Sequence, residues 1–124
     1  MDSAAARILI VDDEPPLLKL MHKYLARCGY AVESTISADD AWSRIQAEPS
    51  SYALILVDMT MPGMNGAQLA RKILDCDSCL RVIACSGYPI DMVKFKGDDP
   101  GRVGFLHKPF TPDMLSREIK RLLG

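Results

Sequence analysis

The chain has 124 residues, of which 48% are hydrophobic and 25% are charged. This composition excludes a largely disordered chain and fits a single domain over residues 1–124, with about residues 1–6 as an N-terminal extension. The 15 basic and 16 acidic residues leave a net charge of −1, so we expect no direct binding to nucleic acid and no general attraction to an anionic membrane.

Five short apolar runs predict five β-strands. They are Arg7–Val11, Tyr30–Ser34, Ala53–Val57, Arg81–Cys85 and Val103–Leu106. Most of these runs are apolar without alternation, as in strands that are buried on both faces. The second run is of mixed polarity, which favours a position at an edge of the sheet.

Helices are predicted between the strands, because apolar residues recur there at spacings of three and four. Their apolar faces are Leu17, Met21, Leu25 and Cys28; Ala38, Ala41, Trp42 and Ile45; Leu69 and Ile73; and Leu115, Ile119 and Leu122. Ser37 and Thr111 are expected N-caps, and Gly29 is expected to end the first helix. The segment Ile90–Phe95 predicts only a short fourth helix, because the turn-forming residues 97–101 follow it.

This alternation predicts an α/β fold. Strands that are buried on both faces need helices above and below them, so we expect a (βα)5 three-layer sandwich around an open, parallel five-stranded sheet. Right-handed crossovers leave few topologies, and the flavodoxin-like strand order 2-1-3-4-5 fits the chain best. In such a sheet, ligands bind beyond the carboxyl ends of the strands.

Polar side chains follow four of the five predicted strands. They are Asp12 and Asp13, Asp58, Ser86 and Lys108. Three carboxylates in one crevice repel each other and require a cation or a proton. Oxygen ligands favour Mg²⁺, and a carboxylate can attack a phosphoryl group whose oxygens a lysine and a hydroxyl would bind. We expect the backbone N–H groups of Met59, Thr60 and Gly87 to bind the remaining phosphoryl oxygens.

Local structure gives each of these residues a simpler explanation. Asp12 or Asp13 could cap the first helix, Asp58 could begin a turn, and Ser86-Gly87 is a common turn sequence. The convergence of all of them at the ends of four strands favours a functional site over these separate roles.

Four segments resemble the signature blocks of the receiver domain of bacterial two-component response regulators. They are ILIVDDEP (8–15), LILVDMTMPGMNG (54–66), VIACSG (82–87) and FLHKPF (105–110). The resemblance covers nearly the whole chain. It implies a signalling domain that takes a phosphoryl group from a sensor histidine kinase or a histidine phosphotransfer protein. Such a domain catalyses only its own phosphorylation and dephosphorylation.

The resemblance also implies roles for the carboxylates. Asp58 would be the phosphoacceptor. Asp13 would bind Mg²⁺ directly, Asp12 would bind it mainly through water, and the backbone carbonyl of Thr60 would be a further ligand. Lys108 would contact the phosphoryl group.

A conformational switch is implied as well. Ser86 would be its hydroxyl and Phe105 its aromatic residue, and the Lys108–Pro109 peptide bond would be cis. Thr60 and Tyr88 lie two residues beyond the acceptor and the switch hydroxyl, so we expect them to tune dephosphorylation. The ending LHKPFTPDML is similar to that of receivers attached to hybrid histidine kinases.

Three other functions are weighed against this one. A Mg²⁺-dependent phosphohydrolase with an aspartyl nucleophile would need a second Asp near Asp58, where Thr60 stands, and a cap domain. A nucleotide or flavin binder would need a phosphate-binding loop, but residues 12–16 are acidic and lack Gly, Ser and Thr. A receiver that docks without switching is disfavoured by the complete set of site residues.

The cysteines add two expectations. Cys28 and Cys85 are predicted to be small buried residues. Cys76 and Cys79 form a CxxC pair that lacks the second pair of a zinc site and is expected to lie in a loop.

No stretch approaches the roughly 20 apolar residues of a membrane span, and the N-terminal segment does not resemble a signal peptide. We therefore expect a cytoplasmic protein that does not insert into membranes.

Overall fold

A computed structural model describes residues 6–48, 51–59, 66–76, 80–87 and 100–124. This part of the chain contains five strands and four helices. The strands are β1 (Arg7–Val11), β2 (Ala31–Thr35), β3 (Leu54–Asp58), β4 (Arg81–Ser86) and β5 (Val103–His107). The helices are α1 (Pro15–Arg27), α2 (Ala38–Ala47), α3 (Gly66–Cys76) and α4 (Pro112–Leu123). The short helix that we predicted at Ile90–Phe95 lies outside the described residues, as does Cys79. The prediction that the CxxC pair lies in a loop is wrong for Cys76, because α3 extends to that residue.

The five strands form one sheet of order β2-β1-β3-β4-β5, and every neighbouring pair is parallel. The predicted flavodoxin-like topology is confirmed, including the edge position of the second strand. Four strands end one residue later than predicted, at Thr35, Asp58, Ser86 and His107. The reason is that the parallel ladder continues past them: the N–H of Met59 donates to the carbonyl of Cys85 at 2.8 Å.

The core lies in two layers, one on each face of the sheet. Along β1, Ile8 and Ile10 belong to the cluster that packs with α1 and α4, whereas Leu9 and Val11 belong to the cluster that packs with α2 and α3. All four side chains are fully buried. Successive strand residues point to opposite faces, so a strand covered by helices on both sides must be apolar throughout, as predicted.

The predicted helix caps are present. The Ser37 hydroxyl accepts a hydrogen bond from the N–H of Asp40 at 3.1 Å. The Thr111 hydroxyl accepts one from the N–H of Met114, also at 3.1 Å. Both bonds satisfy N–H groups that the first turn of a helix leaves without partners.

The first helix differs from its prediction at two positions. Its buried residues are Leu18, Met21 and Leu25, while Leu17 is only half-buried. The prediction that Cys28 is buried is wrong, because Cys28 is exposed. Cys28 is the C-cap residue and precedes Gly29, whose φ of 98° turns the chain away from the helix. The prediction that Cys85 is buried is confirmed.

The four helices are 10 to 13 residues long. In the described ranges, no helix is long and apolar enough to cross a membrane.

Replacement of Ile10 by Ala tests the core. Ile10 is fully buried in a central strand, and deleting its outer carbons should lower the free energy of unfolding by about 2–5 kcal/mol. The matched control is Leu20→Ala, because Leu20 is 61% exposed and its truncation should change stability by no more than about 0.5 kcal/mol. Urea unfolding measures both. Equal losses in the two variants would contradict this description of the core.

Candidate functional site

Three carboxylates meet at the carboxyl ends of two adjacent strands. Asp12 follows β1, Asp13 is next to it, and Asp58 is the last residue of β3. One oxygen from each residue lies within 4.8 Å of the others. Asp12 and Asp58 are each only 2% exposed, whereas Asp13 is exposed. The site therefore holds two buried acids and one that faces the solvent.

Lys108 lies between the two buried acids. It follows β5, and its Nζ is 2.9 Å from Oδ2 of Asp12 and 3.5 Å from Oδ2 of Asp58. A third carboxylate, that of Glu14, lies 3.8 Å from the same atom. Glu14 is not among the predicted site residues, although its position directly after two aspartates is a signal for it. One ammonium group thus offsets part of the negative charge of several carboxylates.

The environment of Lys108 keeps it charged. Burial by itself lowers the pKa of its ammonium group. The hydrogen bond to Asp12 and the negative charges of Asp12, Asp58 and Glu14 act in the opposite direction and outweigh burial, so the pKa of Lys108 is raised above its usual value. The side chain is 17% exposed, which leaves its charge weakly screened by solvent.

For Asp12 the balance is different. Burial raises the pKa of this carboxyl, and the hydrogen bonds from Lys108 and from the N–H of Glu14 offset the effect only in part. The charge of Asp58 raises the pKa further. Ionised Asp12 is therefore incompletely neutralised by protein groups. Three oxygen donors with an excess of negative charge are a donor set that suits a hard divalent cation such as Mg²⁺.

Asp12 also has a role in the local backbone. Its Oδ1 accepts a hydrogen bond from the N–H of Glu14 at 2.9 Å. The N-cap residue of α1 is Glu14, whose side chain makes no capping bond. The capping role that we considered for Asp12 is thus limited to this one bond, and its other oxygen remains directed to Lys108.

The backbone groups that we expected to bind phosphoryl oxygens are only partly described. Met59 was expected to offer its N–H, but that group donates to the carbonyl of Cys85 within the sheet. This expectation is therefore wrong, because the β3–β4 ladder continues one residue further than the sequence indicated. Gly87 is exposed beside Ser86. Thr60 and Tyr88 lie outside the described residues, so their predicted roles stay predictions.

Ser86 and Phe105 lie on the neighbouring strands β4 and β5. Ser86 is the last residue of β4 and is 3% exposed. Its carbonyl accepts a hydrogen bond from the N–H of Lys108 at 2.7 Å. Phe105 is half-buried and packs against the core cluster on the α2–α3 side of the sheet. The Lys108–Pro109 peptide bond is cis.

Gly66 allows α3 to begin directly against the end of β3. A Cβ atom at this position would lie 2.0 Å from the carbonyl oxygen of Asp58 and 2.6 Å from the Cα of Met59. No side chain fits there without a shift of the backbone. The sequence does not reveal this role of Gly66, since the contact with Asp58 depends on the tertiary fold.

Comparisons with known proteins agree with this geometry. Residues 8–120 match the family model of the response regulator receiver domain. The chain is 32% identical over 117 residues to the response regulator receiver protein CpdR of Brucella abortus. The aligned region covers 94% of this chain and 96% of CpdR. Other curated relatives are longer, and the chain spans 25% of one and 50% of another.

Solved structures give the same result. The response regulator protein TrrA of Thermotoga maritima, in complex with Mg²⁺-BeF, is 27% identical, with a TM-score of 0.81 over 95% of this chain and 99% of TrrA. The receiver domain of the hybrid histidine kinase CckA is 25% identical, with a TM-score of 0.80 over 96% of this chain and 100% of that domain. The sheet order, the acidic site and these matches together show that the chain belongs to the response regulator receiver domain family.

Proposed function

We propose that this receiver domain accepts a phosphoryl group on Asp58 from a phosphohistidine, with the help of Mg²⁺, and then changes conformation through Ser86 and Phe105. The observation that carries the proposal is the convergence of three carboxylates around one lysine at the ends of adjacent strands. Membership of the receiver family supports it further. It also disfavours the phosphohydrolase that the sequence left open.

Mg²⁺, when bound, supplies positive charge that neutralises the carboxylates and the phosphoryl oxygens. Asp12, Asp13 and Asp58 would hold it, together with the backbone carbonyl of Thr60. Asp13 is exposed, so the cation would reach the buried acids from the solvent on this side. The raised pKa of Asp12 is consistent with a carboxylate that needs an additional cation at neutral pH.

Asp58 would act as the nucleophile. One of its carboxylate oxygens forms a bond to phosphorus while the bond from phosphorus to the donor imidazole nitrogen breaks. The imidazole leaves with the electron pair of that bond. Little covalent work is required of the surrounding residues, because such transfers depend mainly on alignment and on charge stabilisation. Strand β3 fixes Asp58, since all five of its residues are buried.

Lys108 would stabilise the charge that develops on a phosphoryl oxygen. Its ammonium group is 3.5 Å from the nucleophilic carboxylate, so only a small movement separates a contact with Asp58 from a contact with the incoming group. The hydroxyl of Ser86 would bind another oxygen. When Ser86 moves towards the phosphoryl group, the space it leaves would accept the ring of Phe105. A modification at Asp58 would thereby change the surface near β5 and α4.

The chain would catalyse only its own phosphorylation and the later hydrolysis of the acyl phosphate, so it is a signalling domain with no substrate to turn over. Thr60 and Tyr88 are proposed to tune that hydrolysis. The partner would be a sensor histidine kinase or a histidine phosphotransfer protein. The similarity to the receiver domain of a hybrid histidine kinase supports a donor of this chemistry.

Phosphorylation by acetyl phosphate tests the acceptor. Wild-type protein incubated with acetyl phosphate and Mg²⁺ should gain the mass of one phosphoryl group, and Asp58→Asn should gain none. The matched control is Asp113→Asn, since Asp113 is an exposed aspartate on α4 that pairs with Arg117. This control should be phosphorylated like the wild type. Uptake by Asp58→Asn would place the acceptor elsewhere.

Replacement of Lys108 by Ala tests whether this residue stabilises charge in the transition state without being needed for metal binding. Lys108→Ala should still bind Mg²⁺, but its phosphorylation by acetyl phosphate should slow by about two orders of magnitude, as is typical when one group that stabilises charge in the transition state is removed. Lys120→Ala, at an exposed position on α4, should react at the wild-type rate. The rate is measured by intact mass against time. An unchanged rate for Lys108→Ala would remove this residue from the proposed mechanism.

Stability measurements test the metal site and its pH dependence. Mg²⁺ at ten times its Kd should raise the free energy of unfolding by about 1.4 kcal/mol, and Asp12→Asn should lose most of this gain. Asp39→Asn, an exposed change on α2, should keep it. In wild type the gain should fade as the pH falls through the raised pKa of Asp12, because a proton then competes with the cation.

Asp12 should also make the stability of the metal-free protein depend on pH. The pKa of Asp12 is higher in the folded than in the unfolded chain, so the folded state binds this proton more tightly. The contribution of Asp12 to stability should therefore fall as the pH rises through the window above its usual value of 3.8. Asp12→Asn should gain stability relative to wild type from pH 4 to pH 7, and a constant difference would contradict the assignment.

A further inference from the structure

Strand β5 lies at the edge of the sheet, so part of its backbone faces away from β4. In a strand, the main-chain groups of alternate residues point to opposite sides. The carbonyl of Arg102 and the N–H of Lys108 bond to β4. The main-chain groups of Val103, Phe105 and His107 therefore point outwards. Such an edge is a template on which another strand can pair.

Two of these outward groups have partners from α4. The guanidinium of Arg121 donates from Nη2 to the carbonyl of Val103 at 3.1 Å. The N–H of Phe105 donates to Oε2 of Glu118, also at 3.1 Å. Arg121 and Glu118 are themselves joined through Nε and Oε1 at 2.9 Å. The ion pair of Arg121 and Glu118 thus donates to the outward carbonyl of Val103 and accepts from the outward N–H of Phe105.

This arrangement reproduces the hydrogen bonding of a parallel strand. In a parallel ladder, one residue of a strand donates its N–H to a carbonyl on its neighbour and accepts from the N–H two residues further along. Arg121 and Glu118 make these two bonds, to Val103 and Phe105. The pair occupies the place of a single residue of a sixth strand.

Gly104 gives independent support, because it lies between the two bonded residues. A Cβ atom at Gly104 would be 2.5 Å from Oε2 of Glu118 and 3.0 Å from its Cγ. The carboxylate can reach the N–H of Phe105 only because this position has no side chain. The Glu118 side chain is 19% exposed, which protects the bond from competition with water.

The charge state of Glu118 suits this role. The hydrogen bond from Arg121 holds the pKa of the Glu118 carboxyl below its usual value; burial opposes this effect, and the bond from Phe105 adds to it. The carboxylate is therefore ionised at neutral pH. Hydrogen bonds to an ionised acceptor are stronger than those between neutral groups.

We propose that Glu118 and Arg121 are positioning residues for Phe105: they close the open edge of β5 and hold the main chain from which the Phe105 ring projects. The closure of the edge stands on the contacts themselves. That Phe105 is the aromatic residue of a switch rests on the proposed function. In this scheme the ring rotates about a fixed backbone, and α4 acts on Phe105 through the main chain of β5.

Amide hydrogen exchange measured by NMR tests the edge contact. In Glu118→Ala, the N–H of Phe105 should exchange about tenfold faster or more, as expected for the loss of one charge-assisted hydrogen bond. The N–H of Leu106, in the alternate set that faces β4, should not change. The matched variant is Arg117→Ala, which removes the exposed ion pair with Asp113 on the same helix and should leave both amides as in wild type.

The ring conformation of Phe105 tests positioning separately from stability. Side-chain coupling constants should show altered χ1 populations for Phe105 in Glu118→Ala and no change in Arg117→Ala. Glu118→Gln should restore wild-type populations in part, because its amide oxygen can still accept the bond. Gly104→Ala should reproduce Glu118→Ala, because the new methyl group displaces the carboxylate, and it gives a second route to the result if one variant folds poorly.

Two outcomes would overturn the inference. One is wild-type exchange at Phe105 in Glu118→Ala, and the other is faster exchange with unchanged χ1 populations. Neither measurement requires phosphorylation. If the wild type takes up a phosphoryl group from acetyl phosphate and the Phe105 readouts do not move, only this inference fails. If uptake at Asp58 is absent while the readouts move as expected, the proposed function fails and the edge contact stands.

Discussion

Two carboxylates, Asp12 and Asp58, are buried at the ends of adjacent strands, where their charges repel each other. Each is 2% exposed, so water screens this repulsion poorly. Lys108 neutralises part of it, and its own pKa rises as a result. The remaining excess of negative charge explains why the site suits a divalent cation. The bound cation would in turn offset the negative charge of an approaching phosphoryl group. A receiver domain thus maintains a locally unfavourable charge arrangement, which the apolar sheet beneath it must stabilise.

The sheet supplies that stability and also links the site to a distant surface. Strands β1, β3 and β4 are buried on both faces, so the residues at their ends are held in fixed positions. Ser86 ends β4, Phe105 lies on the adjacent β5, and the backbone of Phe105 is bonded to α4 through Glu118. These contacts form a continuous physical connection from the acidic site to the last helix. The two orientations of the Phe105 ring are the element through which we expect this connection to carry coupling.

Predictions from the sequence succeeded where local interactions decide the structure. The caps at Ser37 and Thr111 depend on residues three positions away, and the apolar strands depend on being covered on both faces. Predictions failed at one helix end and where a distant partner decides. Cys28 lies in an apolar run but falls beyond the end of its helix. The N–H of Met59 was expected to face a ligand, yet it bonds to Cys85 on the neighbouring strand.

The sequence by itself determined the fold class, the strand order and the four charged residues that meet at the strand ends, because periodicity and strand ends fix where side chains emerge. Only the tertiary structure decided how these groups interact. The distances from Lys108 to two acids, the contact of Gly66 with the carbonyl of Asp58 and the bonds of Glu118 to β5 all join residues that are separated in the chain. Such contacts depend on how helices pack against the sheet, and no local pattern of residues specifies that geometry.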